Sequence, residues 1–149
     1  MVCDSNVVMD SLGVYPTNKF KRIGDSLYGI AGGDCTGAEF VLNWISSGGN
    51  WKDRPSKKEY RGDYFILRLS PQGIAIAVDG PSFEQIEAEF YAVGSGRKVA
   101  RYCVERLGMP LLNSVWEACD FDRPWSSPPL YWENLQGEKG IIKTIKDIK

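Results

Sequence analysis

Two segments of this chain follow the same pattern, and that pattern restricts the folds open to it. Residues 25–45 (DSLYGIAGGDCTGAEFVLNWI) and residues 90–107 (FYAVGSGRKVARYCVERL) each contain a short apolar run, two closely spaced glycines and a helix-like stretch. The apolar runs predict strands, and the spacing of apolar residues after the glycines predicts amphipathic helices. The chain therefore passes twice from strand to helix through glycine.

Short strand-like segments joined by turns make up much of the remaining sequence. Residues 2–8 are rich in β-branched side chains and predict a strand, followed by a turn at 9–13. Further strands are predicted at 19–23, 26–31, 83–87 and 89–93, in a hairpin over 63–80, and in LYWENL at 130–135. The hairpin turns at Ser70-Pro71-Gln72-Gly73, which suits a type I turn. Adjacent strands with tight turns indicate antiparallel sheets.

Three helices are predicted, at about 34–46, 96–107 and 110–119, with Pro110 opening the last one. The first places Ala38, Val41, Leu42 and Ile45 on one face, and the second buries Val99, Ala100, Cys103, Val104 and Leu107. Strands and helices in this order favour a layered α+β sandwich over a doubly wound parallel sheet. We expect one domain over residues 1–134, followed by a lysine-rich tail, 135–149, that is a weak helix or a frayed end.

Composition excludes several classes of function. The net charge is −1 over 149 residues, so a general nucleic-acid binder is not indicated. No apolar run approaches the length of a membrane span, and no signal peptide is predicted. The four cysteines are scattered without metal-ligand spacing, which is typical of reduced thiols in a cytoplasmic protein. We therefore expect no metal, no membrane and no nucleic acid as partners.

The chain contains no histidine. This excludes Ser-His-Asp triads, Cys-His proteases and histidine-based zinc sites. If the protein is an enzyme, its base is a carboxylate, a lysine or an α-amino group.

The glycines at 94–96 match a dinucleotide-binding loop poorly. Position 99, where that motif needs a third glycine, is valine, and a predicted helix occupies the region where an acidic residue should follow a strand. Glycine at such a junction permits a tight turn or a close backbone approach. A second interpretation is that backbone N–H groups at one or both turns face a reacting carbonyl, as in an oxyanion hole.

Four motifs together resemble the proteasome-like N-terminal-nucleophile hydrolases, the family of proteasome β subunits, HslV-type peptidases and short phage-encoded or bacterial relatives. In chain order these are CDSNVV, NKFKRIGDSLYGIAGG, FYAVGSG and DFDRPWSS, and the likeness spans about residues 2–134. The resemblance implies a four-layer α/β/β/α sandwich with two antiparallel sheets. It also implies threonine-type peptidase activity without a cofactor.

The family's mechanism suits a chain that has no histidine. An amino-terminal Thr, Ser or Cys attacks a peptide carbonyl, and its own α-amino group is the base. The resemblance makes Lys19 the buried cation that lowers the pKa of the nucleophile, and Asp4 the carboxylate that holds this lysine. Lys21 is an alternative to Lys19, because a shift of two residues keeps the same face of the strand.

Other family roles fall on the glycine turns and on a later loop. The resemblance makes Gly32 the oxyanion-hole donor, and Ile30 and Gly33 the residues that contact substrate. Ser95, Asp122 and Ser126 would form a polar network around the terminal amine. Asp120 is an alternative to Asp122, and the bulky Trp125 beside Ser126 departs from the usual loop.

The attacking residue is not found at the expected place. In the family it begins a strand that folds back into the CDS segment, and here only Met1, Val2 and Cys3 precede Asp4. We expect either a longer natural form that carries the nucleophile or a non-catalytic subunit, with takeover of the attack by another residue as a third alternative. The family further implies a cytoplasmic homo-oligomeric ring, a peptide or unfolded-protein substrate and an ATP-dependent unfoldase partner.

Overall fold

Neighbouring strands joined by short turns form most of the β-structure. The computed structural model describes residues 1–3, 6–9, 13–16, 19–122 and 128–148, and the side chains of 1–2, 19–122 and 128–148. The strands are β1 (Val2–Cys3), β2 (Asn6–Met9), β3 (Gly13–Pro16), β4 (Phe20–Ile23), β5 (Ser26–Asp34), β6 (Asp63–Ser70), β7 (Gly73–Val78), β8 (Phe83–Ile86), β9 (Leu130–Glu133) and β10 (Lys139–Ile142). The helices are α1 (Thr36–Ser46), α2 (Lys57–Tyr60), α3 (Arg97–Leu107) and α4 (Leu111–Phe121), with 3-10 turns at Trp51–Asp53 and Ile145–Asp147.

The chain forms two compact units. One is Phe20–Tyr91, and the other combines Met1–Lys19 with Ala92–Lys149.

The unit Phe20–Tyr91 contains a five-stranded antiparallel sheet in the order β4-β5-β6-β7-β8. Every strand pairs with its neighbour in sequence. Short turns join the other neighbours, whereas β5 and β6 are joined by residues 35–62, which include α1 and α2. The turn predicted at Gly24-Asp25 joins β4 to β5, and the hairpin predicted at 70–73 joins β6 to β7. Both predictions are confirmed.

Helix α1 covers one face of this sheet. Its buried residues Ala38, Val41 and Leu42 pack with Tyr28 of β5 and with residues of the neighbouring strands, including Ile66. Ile45 is partly buried against the same cluster, so the predicted apolar face of the helix is correct. The helix begins two residues later than predicted because Asp34 ends β5; its carboxylate instead accepts the Thr36 N–H at 3.2 Å.

The second unit packs α4 against a three-stranded antiparallel sheet in the order β1-β9-β10. The buried centre consists of Cys119 of α4, Leu130 of β9 and Ile142 of β10. Helix α3 lies against α4, and β2 pairs with β3 in a separate antiparallel hairpin. The predicted α+β class with antiparallel sheets is confirmed.

Several local predictions are wrong. The tail is neither a continuous helix nor frayed over its middle part, since Lys139–Ile142 pairs with β9 over four residues and only Ile145–Asp147 forms a 3-10 turn. Residues 89–93 form no strand, because an apolar run needs a neighbouring backbone as well as apolar side chains. Strand β3 was not predicted, and Pro16 lies at its end, where proline is tolerated.

The predicted burial of α3 is only partly correct. Ala100 and Cys103 are buried, whereas Leu107 is 57% exposed at the end of the helix. Pro110 precedes α4 as its N-cap residue rather than as its first residue. The domain boundary at residue 134 stays a prediction. Within the described residues, no helix has both the length and the apolar character needed to cross a bilayer.

Two isoleucines on strands of the two sheets test this description of the core. Ile66 is fully buried under α1, and Ile141 of β10 is 51% exposed. We expect Ile66→Ala to lower the free energy of unfolding by about 2–5 kcal/mol, because it leaves a cavity. The control Ile141→Ala should change it by less than about 0.5 kcal/mol. Urea denaturation followed by circular dichroism measures both, and equal losses would contradict the assigned core.

Candidate functional site

The carboxyl end of β5 is an exposed glycine turn that leads into α1. Gly32, Gly33 and Asp34 are exposed, while Ile30 is half-buried and packs against the core beneath α1. Strand β4 pairs with β5 only as far as Gly29. On that side, the described strands leave the backbone of residues 30–34 without a partner.

Gly32 is required by the close approach of β6. Its φ of +155° is one that side chains rarely adopt, and a Cβ there would overlap the carbonyl oxygen of Asp63 and lie 2.5 Å from the Cα of Tyr64. The pairing register also shifts between Gly32 and Asp34, which marks a bulge. The backbone of β6 therefore sets the shape of the turn.

Tyr64 is held on three sides. Its hydroxyl donates to the carbonyl of Tyr60 at 2.6 Å, and its backbone N–H donates to the carboxylate of Asp79 at 2.9 Å. Asp79 adopts a positive φ of 50° to make this contact, and its own N–H returns a hydrogen bond to the Tyr64 carbonyl. Burial, with a smaller contribution from the charge of Asp79, raises the pKa of Tyr64 to about 12. Tyr64 is thus a rigid, neutral support beneath the glycine turn.

Two further side chains border the turn. The Cys35 thiol lies 3.6 Å from the Gly32 carbonyl oxygen and donates to it. The Asp63 carboxylate lies beside Gly33, 3.1 Å from where a Cβ would be. Sequence reasoning did not select Cys35, Asp63 or Tyr64 for this site. The RGDY segment before the predicted hairpin was the available signal, but nothing local in it indicates contact with residues thirty positions earlier.

The two candidate lysines differ in exposure. Lys19 is half-buried and directly precedes Phe20, whose partner across the sheet is Gly29. Lys21 lies within β4 opposite Tyr28 and is exposed. A cation that must perturb a neighbouring group acts more strongly when water screens it less. Exposure therefore favours Lys19, in keeping with the first choice made from the sequence.

The second glycine turn belongs to the packing of two helices. Gly96 precedes α3, and a Cβ there would meet the Cβ of Ala118 in α4 at 3.2 Å. Gly94 has a φ of +95°, and its carbonyl accepts both the backbone N–H and the guanidinium of Arg97. These contacts favour the close-packing interpretation of the glycines over a nucleotide loop.

Two of the predicted polar residues lie at this helix junction. Ser95 is exposed beside Gly96, and Asp122 follows α4, where its N–H donates to the Ala118 carbonyl. The contact between Gly96 and Ala118 therefore brings the start of α3 and the end of α4 together. The alternative residue, Asp120, is exposed on α4.

Two predicted residues, Asp4 and Ser126, lie outside the described residues. The proposed pairing of Asp4 with Lys19 and the role of Ser126 stay predictions. In the part of the chain that is described, no group of three or more Cys, Asp or Glu side chains could hold a metal ion.

The chain shares its fold with solved structures of HslV and BPH proteins. One of them is eukaryotic HslV from Trypanosoma brucei, which is 18% identical, with a TM-score of 0.63 over 96% of this chain and 92% of that chain. The BPH protein of Thiobacillus denitrificans in complex with epoxomicin is also 18% identical, with a TM-score of 0.57 over 96% of this chain and 92% of that one. A second structure of BPH covers 95% of this chain and 90% of its own chain, again with a TM-score of 0.57 and 18% identity.

Sequence comparison alone does not find this likeness. No protein-family model matches the chain, and no curated protein matches it significantly. At 18% identity the structural likeness establishes the fold, and the predicted fold is thereby confirmed. The roles of individual site residues stay predictions.

Adjacent glycines in the turn give a matched pair of variants. Gly32→Ala places a methyl group against the β6 backbone at a strained φ, and we expect it to lower the free energy of unfolding by about 1–3 kcal/mol or more. Gly33→Ala meets only the end of the Asp63 side chain, which can rotate away, so its loss should stay below about 1 kcal/mol. Chemical denaturation of both variants measures the difference, and a Gly33→Ala loss as large as that of Gly32→Ala would contradict the described geometry.

The raised pKa of Tyr64 predicts a loss of stability in alkali. The fold favours the neutral phenol, so its contribution is complete below about pH 10, the usual tyrosine pKa, and is lost as the pH rises toward 12. Tyr64→Phe should remove this part of the alkaline loss, at the expense of about 1 kcal/mol for the hydrogen bond to Tyr60. Phenolate absorbance at 295 nm and denaturation at pH 9–12 provide the test. A variant that retains the full alkaline slope would show that Tyr64 ionises normally.

Proposed function

We propose that this chain is a proteasome/HslV-like peptidase of the threonine type, and that the turn at Gly32 binds the carbonyl oxygen of the substrate. The observation that carries the proposal is the exposed glycine turn at the end of β5, which Asp63 and Tyr64 of β6 fix from below and which no described strand pairs on the β4 side. Backbone donors that are held rigidly stabilise a developing oxyanion without reorganising during the reaction. The likeness in fold to HslV supports the family assignment.

A peptide suits residues 30–34 of β5, which no described strand pairs on the β4 side. An extended substrate can add to an unpaired strand edge through main-chain hydrogen bonds, while pockets for alternate side chains give specificity. The half-buried Ile30 lies on this segment, so we propose that it selects apolar substrate side chains and that Gly33 leaves room for the backbone. No cofactor is needed for this chemistry.

The proposed attack uses an amino-terminal hydroxyl. The α-amino group, with a pKa of about 7.7–8.0, accepts the hydroxyl proton as the oxygen bonds to the carbonyl carbon. The tetrahedral oxyanion is then held at Gly32, and the proton passes to the leaving amine when the C–N bond breaks. Lys19, held by Asp4, favours the ionised nucleophile, and Ser95, Asp122 and Ser126 orient the terminal amine.

The proposal takes one of two forms, which differ in the attacking group. Either the natural protein carries an amino-terminal Thr, Ser or Cys ahead of the CDS segment, or it is a non-catalytic subunit on the same fold. The set of Lys19, Gly32 and Ser95 favours the catalytic form, because assembly alone gives no reason for such residues. In both forms we propose a cytoplasmic homo-oligomeric ring that works with an unfoldase.

Labelling with a peptide epoxyketone tests the catalytic form, because this reagent needs both a nucleophile and a free α-amine. The material is the longest natural form of the protein, and mass spectrometry detects a covalent adduct on its first residue. We expect the unchanged protein to be labelled, and we expect Lys19→Ala to be labelled at least about 100-fold more slowly. The control Lys21→Ala, two residues away and exposed, should label at nearly the unchanged rate.

The outcomes separate the two forms of the proposal. No adduct on the longest natural form would support the non-catalytic subunit and overturn the peptidase. Equal loss in both lysine variants would show that Lys19 has no special role.

A further inference from the structure

An aromatic and basic surface follows the carboxyl end of α1. Trp51 is 66% exposed, and its ring lies edge-on to that of Trp44, with 6.3 Å between the ring centroids. The Arg54 guanidinium lies 4.1 Å from the centroid of the Trp51 ring. The Trp44 indole N–H donates to the Asn50 carbonyl at 2.7 Å, which fixes the pair. A large aromatic ring held rigid in solvent under a cation resembles the anchors found at protein interfaces.

The same surface has an excess of positive charge. Residues 51–61 contain five basic and two acidic side chains. One of the acidic residues, Glu59, accepts hydrogen bonds from the hydroxyl and the backbone N–H of Ser56, and these bonds lower the pKa of Glu59. They hold the Glu59 carboxylate at the beginning of α2. Within the described residues, none of the five basic side chains forms an ion pair. We call these residues the basic surface: Lys52, Arg54, Lys57, Lys58 and Arg61.

The opposite charge lies on an edge strand of the same unit. Residues 84–89 (EQIEAE) contain three glutamates and no basic residue, and all three glutamates are exposed. Strand β8 pairs with β7 on one side and, among the described strands, with none on the other. None of the three glutamates forms an ion pair within the described residues either. We call residues 84–89 the acidic edge.

We propose that the basic surface of one copy of this chain binds the acidic edge of a second copy. The charges support this, since residues 51–61, which carry the basic surface, have a net charge of about +3, and the acidic edge has one of about −3. Both are exposed, and neither is neutralised within the described part of its own chain. An open strand edge and an exposed tryptophan also supply contacts that do not depend on charge.

The geometry of such a contact limits the assembly. The two surfaces differ, so the contact is heterologous, and an open chain of bound copies still presents one free surface of each kind, one at each of its ends. Repetition of the contact closes into a ring if the rotation permits and continues as a filament if it does not. This inference names the interface for the self-association proposed above, and it does not depend on whether the protein is a peptidase.

Charge reversal with exchange tests the interface by sedimentation velocity. Reversal of the basic surface (Arg54→Glu with Lys58→Glu) and reversal of the acidic edge (Glu87→Lys with Glu89→Lys) should each weaken self-association about tenfold or more. Mixing the two variants should restore association, because the unchanged basic surface of one variant then meets the unchanged acidic edge of the other. Lys98→Glu with Arg106→Glu on α3 makes the same change of net charge as reversal of the basic surface and should have no effect.

A measurement on the unchanged protein keeps the test independent of how the variants fold. Self-association should weaken as salt rises from about 0.05 to 0.5 M, because the Debye length falls from about 14 Å to about 4 Å. Zero-length carbodiimide cross-linking of mixed ¹⁴N and ¹⁵N protein should join Lys57 or Lys58 to Glu87 or Glu89 between copies.

A protein that stays monomeric at all concentrations, or cross-links only within one copy, would overturn the interface. Failure of the mixed variants to associate would overturn it as well. Loss of association without loss of epoxyketone labelling would separate the interface from the peptidase proposal.

Discussion

The contact between Gly32 and the backbone of Asp63 and Tyr64 is the constraint on which the candidate site depends. It joins the end of β5 to the start of β6 so closely that no side chain fits between them. The hydrogen bonds of Tyr64 to Tyr60 and Asp79 then fix β6 in turn. A glycine turn that is exposed above and rigid below is suited to presenting backbone groups to a ligand, because little ordering remains to be done when the ligand binds.

Elements that depend on neighbours in sequence were predicted well. The turns at Gly24-Asp25 and at 70–73 follow from glycine and proline chemistry, and α1 follows from the spacing of its apolar residues. Elements that depend on a distant partner were not. Strand β10 forms by pairing with β9, and its one lysine and two isoleucines carry no signal of that pairing. Residues 89–93 have the composition of a strand without a partner.

The site divides in the same way. Gly32 could be selected from the sequence, because four motifs occur together in the order found in the family. A single glycine motif would not have been specific enough. Asp63 and Tyr64 could not, since their contact with the turn is formed by sheet register across about thirty residues. Exposure separates Lys19 from Lys21, which a two-residue period leaves equivalent in the sequence. At 18% identity, the fold persists where sequence comparison finds nothing.

A crystal structure of the longest natural form with a bound peptide epoxyketone tests the central claim most directly. The account predicts that the peptide pairs with residues 30–34 of β5 and that the inhibitor oxygen derived from the carbonyl lies about 3 Å from the backbone nitrogen of Gly32. A peptide bound elsewhere, or an oxygen held only by side chains distant from this turn, would contradict it.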